Sequence, residues 1–215
     1  MMIYLRSVQM MTMKIDRSVV LTGRTVRLEP LTPAHADALF AVGRNDEVWQ
    51  YLAFDTPQTV ADVRRFIEIA LQNAEKGADL PFAIVHLPEN RVIGSTRYME
   101  IVPYDHALEI GWSWLERDLW RSAVNTESKY LLLRHAFDVL DANRVQLKTD
   151  LRNLRSQAAI ARLGAVREGV LREHRIVKGN YRRSSVIFSI LDREWPEVKT
   201  RLEERLARGA SEPSG

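Results

Sequence analysis

The segment with the clearest chemical potential is residues 114–126, which read Trp-Leu-Glu-Arg-Asp-Leu-Trp-Arg-Ser-Ala-Val-Asn-Thr. It leads from an alternating, strand-like stretch into a stretch with helical periodicity. At such a junction the first backbone N–H groups of the helix lack partners, and the helix dipole is positive at that end. The pattern therefore predicts an anion-binding site, and phosphate is the expected ligand.

A carboxylate, Glu109, lies in the strand-like stretch Ala107–Leu115 that precedes this junction. A carboxylate placed beside a reacting amine can accept its proton. The alternative is a strand carboxylate that is merely exposed or ion-paired. Strict alternation places four large apolar residues on the face opposite Glu109, namely Leu108, Ile110, Trp112 and Trp114. We therefore predict that Glu109 faces away from the tryptophans.

A third candidate group is the pair formed by Asn153 and Ser156, which opens a helical stretch over residues 153–163 that Gly164 closes. Asparagine at this position is a common helix cap. The serine hydroxyl can donate a hydrogen bond.

The elements that must position these groups alternate between strands and helices. Apolar periodicity and turn residues predict strands at 25–28, 81–87, 92–98, 107–115, 143–149, 165–176 and 183–191, and helices at 34–42, 59–77, 125–140, 153–163 and around 198–206. The early strands are predicted to be joined by hairpin turns, and the middle strands are joined through helices. We expect a mixed α/β (α+β) fold, in which a twisted sheet with parallel and antiparallel strands is flanked by helices.

Length and composition limit the domain organisation and the kinds of site. The 215 residues contain no cysteine, which excludes disulfides, thiolate zinc sites and cysteine nucleophiles. We expect one domain over 20–208, a loosely ordered extension over 1–19 and a disordered tail over 209–215. The five histidines show no ligand spacing, so no metal is predicted. No apolar run approaches the roughly 18 residues of a membrane span, and a cytoplasmic location is the default expectation.

Several of these segments together resemble one family. The matching parts are the strand Ala107–Leu115, the loop 117–126, the helix ending at 135–140, the Asn-Leu-Arg-Ser run 153–156 and the run 162–169. They are similar to the GNAT N-acetyltransferases, and within them to the branch that contains the ribosomal-protein N-terminal alanine acetyltransferases. The resemblance covers about residues 20–191. It implies transfer of an acetyl group from acetyl-CoA to a primary amine without a covalent enzyme intermediate.

The resemblance also implies where acetyl-CoA would bind. The thioester carbonyl would contact a backbone N–H near Trp114 or Leu115, and Asn153 would contact the CoA arm. The pyrophosphate would rest on the amides of the loop before the central helix, formed by Trp120, Arg121, Ser122, Ala123 and Val124. In the same comparison Glu109 matches the frequent glutamate base, and Ser156 matches the donor toward the CoA thiolate.

The sequence departs from the family pattern at Arg121, which stands where the first loop glycine is common. Glycine serves where the backbone takes a positive φ or approaches a ligand closely. An arginine with a negative φ could keep the loop intact, and its guanidinium could add a phosphate contact. The alternative is that Arg121 points to solvent and the coenzyme site is weakened or lost.

These residues do not identify the amine that accepts the acetyl group. Protein N-termini and small-molecule amines are both candidates. Glu168 and His174 are secondary candidates on the acceptor side, and Trp49, Tyr51 and Phe54 are candidates for the pocket wall, with core packing as their alternative.

Two other classes remain open. A catalytically silent acyl-CoA sensor is favoured by the missing glycine. A nucleic-acid binder is suggested by the basic last third of the chain, but the net charge of +3 is small and direct nucleic-acid binding is not expected. We expect no membrane partner, and the large apolar residues on the closing strands would permit a homodimer.

Overall fold

A computed structural model describes residues 12–209 and gives the following elements. The strands are β1 (Leu21–Thr22), β2 (Val26–Pro30), β3 (Leu80–His86), β4 (Arg91–Val102), β5 (Ala107–Leu115), β6 (Arg144–Asp150), β7 (Val166–Val177) and β8 (Tyr181–Leu191). The helices are α1 (Ala36–Val42), α2 (Asp46–Trp49), α3 (Val60–Glu75), α4 (Ala123–Asp138), α5 (Leu154–Arg162) and α6 (Trp195–Gly209).

The strands form one sheet in the order β1-β2-β3-β4-β5-β6-β8-β7. Within residues 12–209, the pair β5–β6 is parallel and the other neighbouring pairs are antiparallel. The parallel pair follows from the connection through α4, because strands joined by a crossover helix run in the same direction. The predicted mixed sheet is thus confirmed.

Helices cover both faces of the sheet and create two cores. The larger core contains the central leucines of α4, together with apolar residues of α5 and α6. The smaller core contains α1, α2 and α3, and its aromatic centre is formed by Trp49, Phe66 and Trp114. The sheet therefore presents each strand residue to one of two distinct apolar environments.

A β-bulge in β5 sets the geometry of the site. Arg97 of β4 pairs with Gly111, whereas Ser95 pairs with Trp114, so two β5 residues oppose one residue of β4. Trp112 in the bulge has a positive φ of 49°. A bulge bends its strand and increases the local twist. After Ile110, β5 no longer pairs with β6, and the two strands diverge.

The bulge overturns the predicted facing of the β5 side chains. Leu108 and Ile110 lie in the larger core, whereas Trp112 and Trp114 pack in the smaller one. Strict alternation fails because the extra residue reverses the side-chain pattern. Since Glu109 faces opposite to Leu108 and Ile110, it lies on the same side of the sheet as the tryptophans, and the prediction that it faces away from them is wrong.

The other predicted strands and helices are present, with end points that differ by a few residues, and the structure adds the short elements β1 and α2. Residues 1–11 and 210–215 lie outside the described residues. The loosely ordered extension over 1–19 and the disordered tail over 209–215 therefore stay predictions. Met13 is buried in the larger core.

Candidate active site at the diverging strands

The start of α4 lies next to the end of β5 and has a capped N-terminus. Val124 N donates to Ser122 Oγ at 3.3 Å, and Ser122 Oγ donates to the carbonyl of Leu119 at 2.7 Å. The remaining N–H groups of the first helical turn have no intrahelical acceptor. In a 16-residue helix they are accompanied by the positive end of the dipole. The helix start on which the anion-site prediction depends is therefore present, and anion binding there stays a prediction.

Arg121 keeps the backbone conformation that a glycine would favour. Its φ is 69°, so the negative φ considered for an arginine at this position is not the one adopted. A non-glycine residue in this region carries a strain of about 1 kcal/mol or more. The side chain of Arg121 is exposed at the mouth of the α4 start. Residue 121 therefore has the positive φ that favours glycine, although it is an arginine.

Two arginines, Arg117 and Arg155, lie over the Trp120 ring beside this helix start. The Arg155 guanidinium lies 3.4 Å from the indole centroid, and that of Arg117 lies 4.8 Å from it. Arg117 is paired with Glu47 at 2.9 Å. Neither Arg121 nor Arg155 has a carboxylate within salt-bridge distance among residues 12–209. Burial lowers the pKa of Arg155, the Glu47 charge opposes this, and the charges of Arg117 and Arg121 add to the lowering.

Residues 111–115 of β5 present a main-chain edge without a β6 partner. The side chains of Trp114 and Leu115 are buried, and the Leu115 carbonyl accepts a hydrogen bond from Trp120 Nε1 at 3.1 Å. Residues 116–122 connect this edge to the start of α4. An unpaired strand edge can bind an extended chain by main-chain hydrogen bonds, and a helix start can bind a phosphate. We call the main chain of residues 111–124 the candidate binding groove.

Asn153 and Ser156 are joined as the sequence predicts. Asn153 Oδ1 accepts a hydrogen bond from Ser156 N at 3.0 Å and caps α5. Both side chains are half-buried. The cap role is confirmed, and the ligand contact of Asn153 and the donor role of Ser156 stay predictions.

Glu109 is buried rather than exposed, with only 2% of its surface accessible. Its Oε2 accepts a hydrogen bond from Gln146 Nε2 at 2.8 Å and lies 3.0 Å from Lys148 Nζ. Lys148 also reaches Glu100 at 3.2 Å. Burial raises the pKa of Glu109, and the Lys148 charge and the Gln146 hydrogen bond oppose this. A carboxylate with a raised pKa is a better proton acceptor for an ammonium group.

A cavity of about 430 Å³ lies on the β6 and β7 side of Glu109 and shares its partners Gln146 and Lys148. His174 lines this cavity, and burial lowers its pKa, as do the charges of Lys148, Arg175 and Arg183. Glu168 lines it as well, but it is held by Arg144 at 2.5 Å, and its pKa is lowered to about 2. Glu168 is therefore an ion-paired strand residue.

The three aromatic candidates for the pocket wall divide between core and cavity. Trp49 is buried and donates to the Gly43 carbonyl at 2.6 Å, and Phe54 packs on Phe66. Both belong to the smaller core. Tyr51 instead lines a separate cavity of about 130 Å³ between the loop after α2 and the β7–β8 turn.

Sequence reasoning missed three side chains near the site, Lys129, Gln146 and Lys148, whereas Arg155 belongs to the basic last third of the chain that the sequence already marks. Gln146 lies directly opposite Glu109 in the parallel register. That register depends on the crossover through α4, and no local pattern indicates it. The described residues contain no cluster of three or more His, Asp or Glu that could hold a metal. None of the helices within 12–209 combines the length and apolarity needed to cross a membrane.

Comparison with known proteins agrees with this geometry. Residues 25–166 match the family described as “Acetyltransferase (GNAT) domain”. An uncharacterized N-acetyltransferase named p20 from Bacillus licheniformis is 27% identical over 175 residues, which cover 81% of this chain and 94% of that protein.

Two solved structures share the fold. A GCN5-related N-acetyltransferase from Brucella melitensis superposes with a TM-score of 0.85 and 30% identity, covering 92% of this chain and 90% of that one. Mycobacterium smegmatis RimJ in complex with CoA-disulfide gives a TM-score of 0.73 at 20% identity, covering 86% and 91%. The family match spans most of the chain and includes β5, α4 and α5, and the protein therefore belongs to the GNAT acetyltransferases.

Proposed function

We propose that this acetyltransferase moves an acetyl group from acetyl-CoA to a primary amine by direct attack in a ternary complex. The observation that carries the proposal is the position of buried Glu109 on the same strand whose free edge, residues 111–115, leads to the start of α4. One strand thereby supplies both a proton acceptor and a main-chain groove.

The groove fits the chemistry of acetyl-CoA. The start of α4 suits the pyrophosphate, and we assign this contact to the main chain of Trp120, Arg121, Ser122, Ala123 and Val124. The N–H groups of Trp120, Ser122 and Val124 already donate hydrogen bonds within the loop and would be shared with the phosphate. Arg121 and Arg155 have no acidic partner among the described residues and would neutralise further phosphate charge. The similarity in fold to a RimJ structure that contains CoA-disulfide supports the same assignment. Acetyl-CoA supplies the activated acyl group, and no metal is needed for this chemistry.

The free edge of β5 orients the thioester in this proposal. A backbone N–H near Trp114 or Leu115 donates to the thioester carbonyl, which makes the carbonyl carbon more electrophilic. Asn153 contacts the CoA arm and Ser156 donates toward the thiolate that leaves. Both contacts need no rearrangement of α5, because the Asn153 cap already fixes the first helical turn.

Glu109 removes the proton that an amine carries at neutral pH. The free nitrogen then forms the C–N bond as the C–S bond breaks. Lys148 and Gln146 hold the carboxylate in place, and the adjacent cavity of about 430 Å³ admits the amine. We propose a small-molecule amine or a protein N-terminus as acceptor and a cytoplasmic site of action, and a homodimer is compatible with this scheme.

The proposal is tested by thiol release from acetyl-CoA in the presence of a panel of amines that includes peptides with free N-termini. We expect thiol release that depends on an amine and saturates with acetyl-CoA. Thermal stabilisation by acetyl-CoA without any amine-dependent release would indicate the catalytically silent acyl-CoA sensor instead. Stabilisation by nucleic acid and not by acetyl-CoA would contradict both.

A further inference from the structure

A buried lysine on α4 has no role in the proposal so far. Lys129 is only 7% exposed, and its Nζ donates hydrogen bonds to Ser113 Oγ and, at 3.4 Å, to Thr96 Oγ1. The two hydroxyls lie 2.7 Å from each other. No carboxylate within residues 12–209 pairs with Lys129. A buried ammonium without a carboxylate is costly, so its retention at this position suggests a function.

The hydroxyl network of Lys129 lies at the β5 bulge. Ser113 follows Trp112, the bulge residue with positive φ, and belongs to the free stretch 111–115. Thr96 is completely buried and Lys129 nearly so, whereas Ser113 is half-exposed. Of the three groups, Ser113 therefore has access to the groove, and Lys129 can influence the groove only through it.

The charge state of Lys129 is poised for proton transfer. Burial lowers its pKa from 10.5 to about 7, and no charged residue on a neighbouring element contributes to the shift. Both the ammonium and the amine forms are thus accessible near neutral pH. A donor with a pKa near the working pH is the most effective one, since it is protonated and yet gives up its proton readily.

Resting on the proposed function, we propose that Ser113, supported by Lys129, supplies the proton that the CoA sulfur takes as the thiolate leaves, while Ser156 donates a hydrogen bond to the sulfur without giving up its proton. As the C–N bond forms and the C–S bond breaks, the electron pair of that bond stays on sulfur. Ser113 Oγ passes its proton to sulfur and takes one from Lys129 Nζ. Glu109 holds the proton from the amine. Neutral Lys129 then takes a proton from solvent, and Glu109 releases its proton to solvent.

The thiol pKa of bound CoA tests this relay without any turnover. The chain has no cysteine, so the ultraviolet absorbance of thiolate in the complex reports on CoA alone. We expect bound CoA to have a lower thiol pKa than free CoA, because the donor stabilises the thiolate. In Lys129→Met and Ser113→Ala the thiol pKa should rise by about one unit. The double variant should shift it no further, because both residues act in one chain of hydrogen bonds.

Kinetics and a matched lysine separate the relay from a structural role. In both variants kcat should fall by roughly tenfold to a hundredfold while KM for acetyl-CoA stays within about twofold. Lys199→Met removes a lysine on the surface helix α6, paired with Asp138 outside the network, and should leave the thiol pKa and kcat unchanged.

The inference would be overturned by an unchanged thiol pKa in Ser113→Ala, a substitution that removes a single hydroxyl and so tests the relay even if Lys129→Met fails to fold. Reduced stability or a raised KM with an unchanged thiol pKa would make Lys129 a structural anchor only and would equally overturn it. If wild-type protein neither binds CoA nor releases thiol, the proposed function itself fails. If the protein binds CoA and turns over, but the thiol pKa does not depend on Ser113, this inference fails and the proposed function stands.

Discussion

The two ends of the proposed site are built from different parts of the polypeptide. The coenzyme end uses the free edge of β5 and the first turn of α4, where main-chain groups make the contacts. The acceptor end uses side chains, with Glu109 held by Gln146 and Lys148 beside a cavity. Main-chain sites tolerate changes of residue type, whereas a buried carboxylate with defined partners does not. Apart from the proposed Ser113–Lys129 pair, substitutions should therefore affect catalysis most at the acceptor end and binding most at the coenzyme end.

The strongest test of this contrast is Glu109→Gln. The amide keeps the shape and the burial of the side chain but accepts no proton from an ammonium group. We expect kcat to fall by about a hundredfold, with an unchanged dissociation constant for acetyl-CoA. Steady-state kinetics and calorimetric titration check the two values. Wild-type turnover across the pH range would remove Glu109 from the mechanism.

Lys148→Met tests whether Lys148 controls the pKa of Glu109, the proposed base. The Lys148 charge opposes the effect of burial on Glu109, so its removal raises the pKa of that carboxyl further. Glu109 is then protonated over a wider pH range, and the acidic limb of the profile of kcat/KM moves to higher pH. On that limb a rise of one pKa unit lowers kcat/KM about tenfold, and the plateau at higher pH stays unchanged. An acidic limb at the wild-type position would show that Glu109 is not the group that titrates.

Arg155→Ala examines the coenzyme end, where the effect should be on binding alone. Loss of an unpaired guanidinium beside the α4 start should weaken acetyl-CoA about tenfold, with less effect at high salt. Repeating the titration with 3′-dephospho-CoA shows which phosphate is contacted. Arg205→Ala, which removes an exposed arginine of α6, is the matched control and should leave binding unchanged. A drop in kcat without a change in affinity would contradict the division between the two ends.

The smallest effect is expected at Arg121, where backbone strain and charge can be separated. Arg121→Gly relieves the positive φ and should stabilise the fold by about 1 kcal/mol in urea unfolding. Arg121→Ala keeps most of the strain and removes the charge. If the guanidinium contacts phosphate, both variants weaken acetyl-CoA by a few-fold. Equal or tighter binding in both would show that only the loop backbone contributes.

Local patterns predicted the elements well and the side-chain environment of β5 poorly. The strand Ala107–Leu115 was predicted with its observed ends. The facing of its side chains was not, because one extra residue at Trp112 reverses the alternation. Gly111, an isolated glycine inside the strand pattern, is the sequence signal that could have indicated this bulge. The cap at Asn153 was predicted because a cap depends on contacts within four residues.

The sequence by itself determined the succession of strands and helices, the strand-to-helix junction before α4, the single acidic candidate on β5 and, through its resemblance, the family. These properties depend on periodicity and on contacts between near neighbours. Tertiary structure alone decided that Glu109 is buried between Gln146 and Lys148, that Arg155 stacks on Trp120, and that Lys129 reaches Ser113 and Thr96. The partners in these contacts are 16 to 39 residues apart in the chain. Only the strand register and the packing of α4 and α5 bring them together, and burial, which sets their pKa values, exists only once the chain is folded.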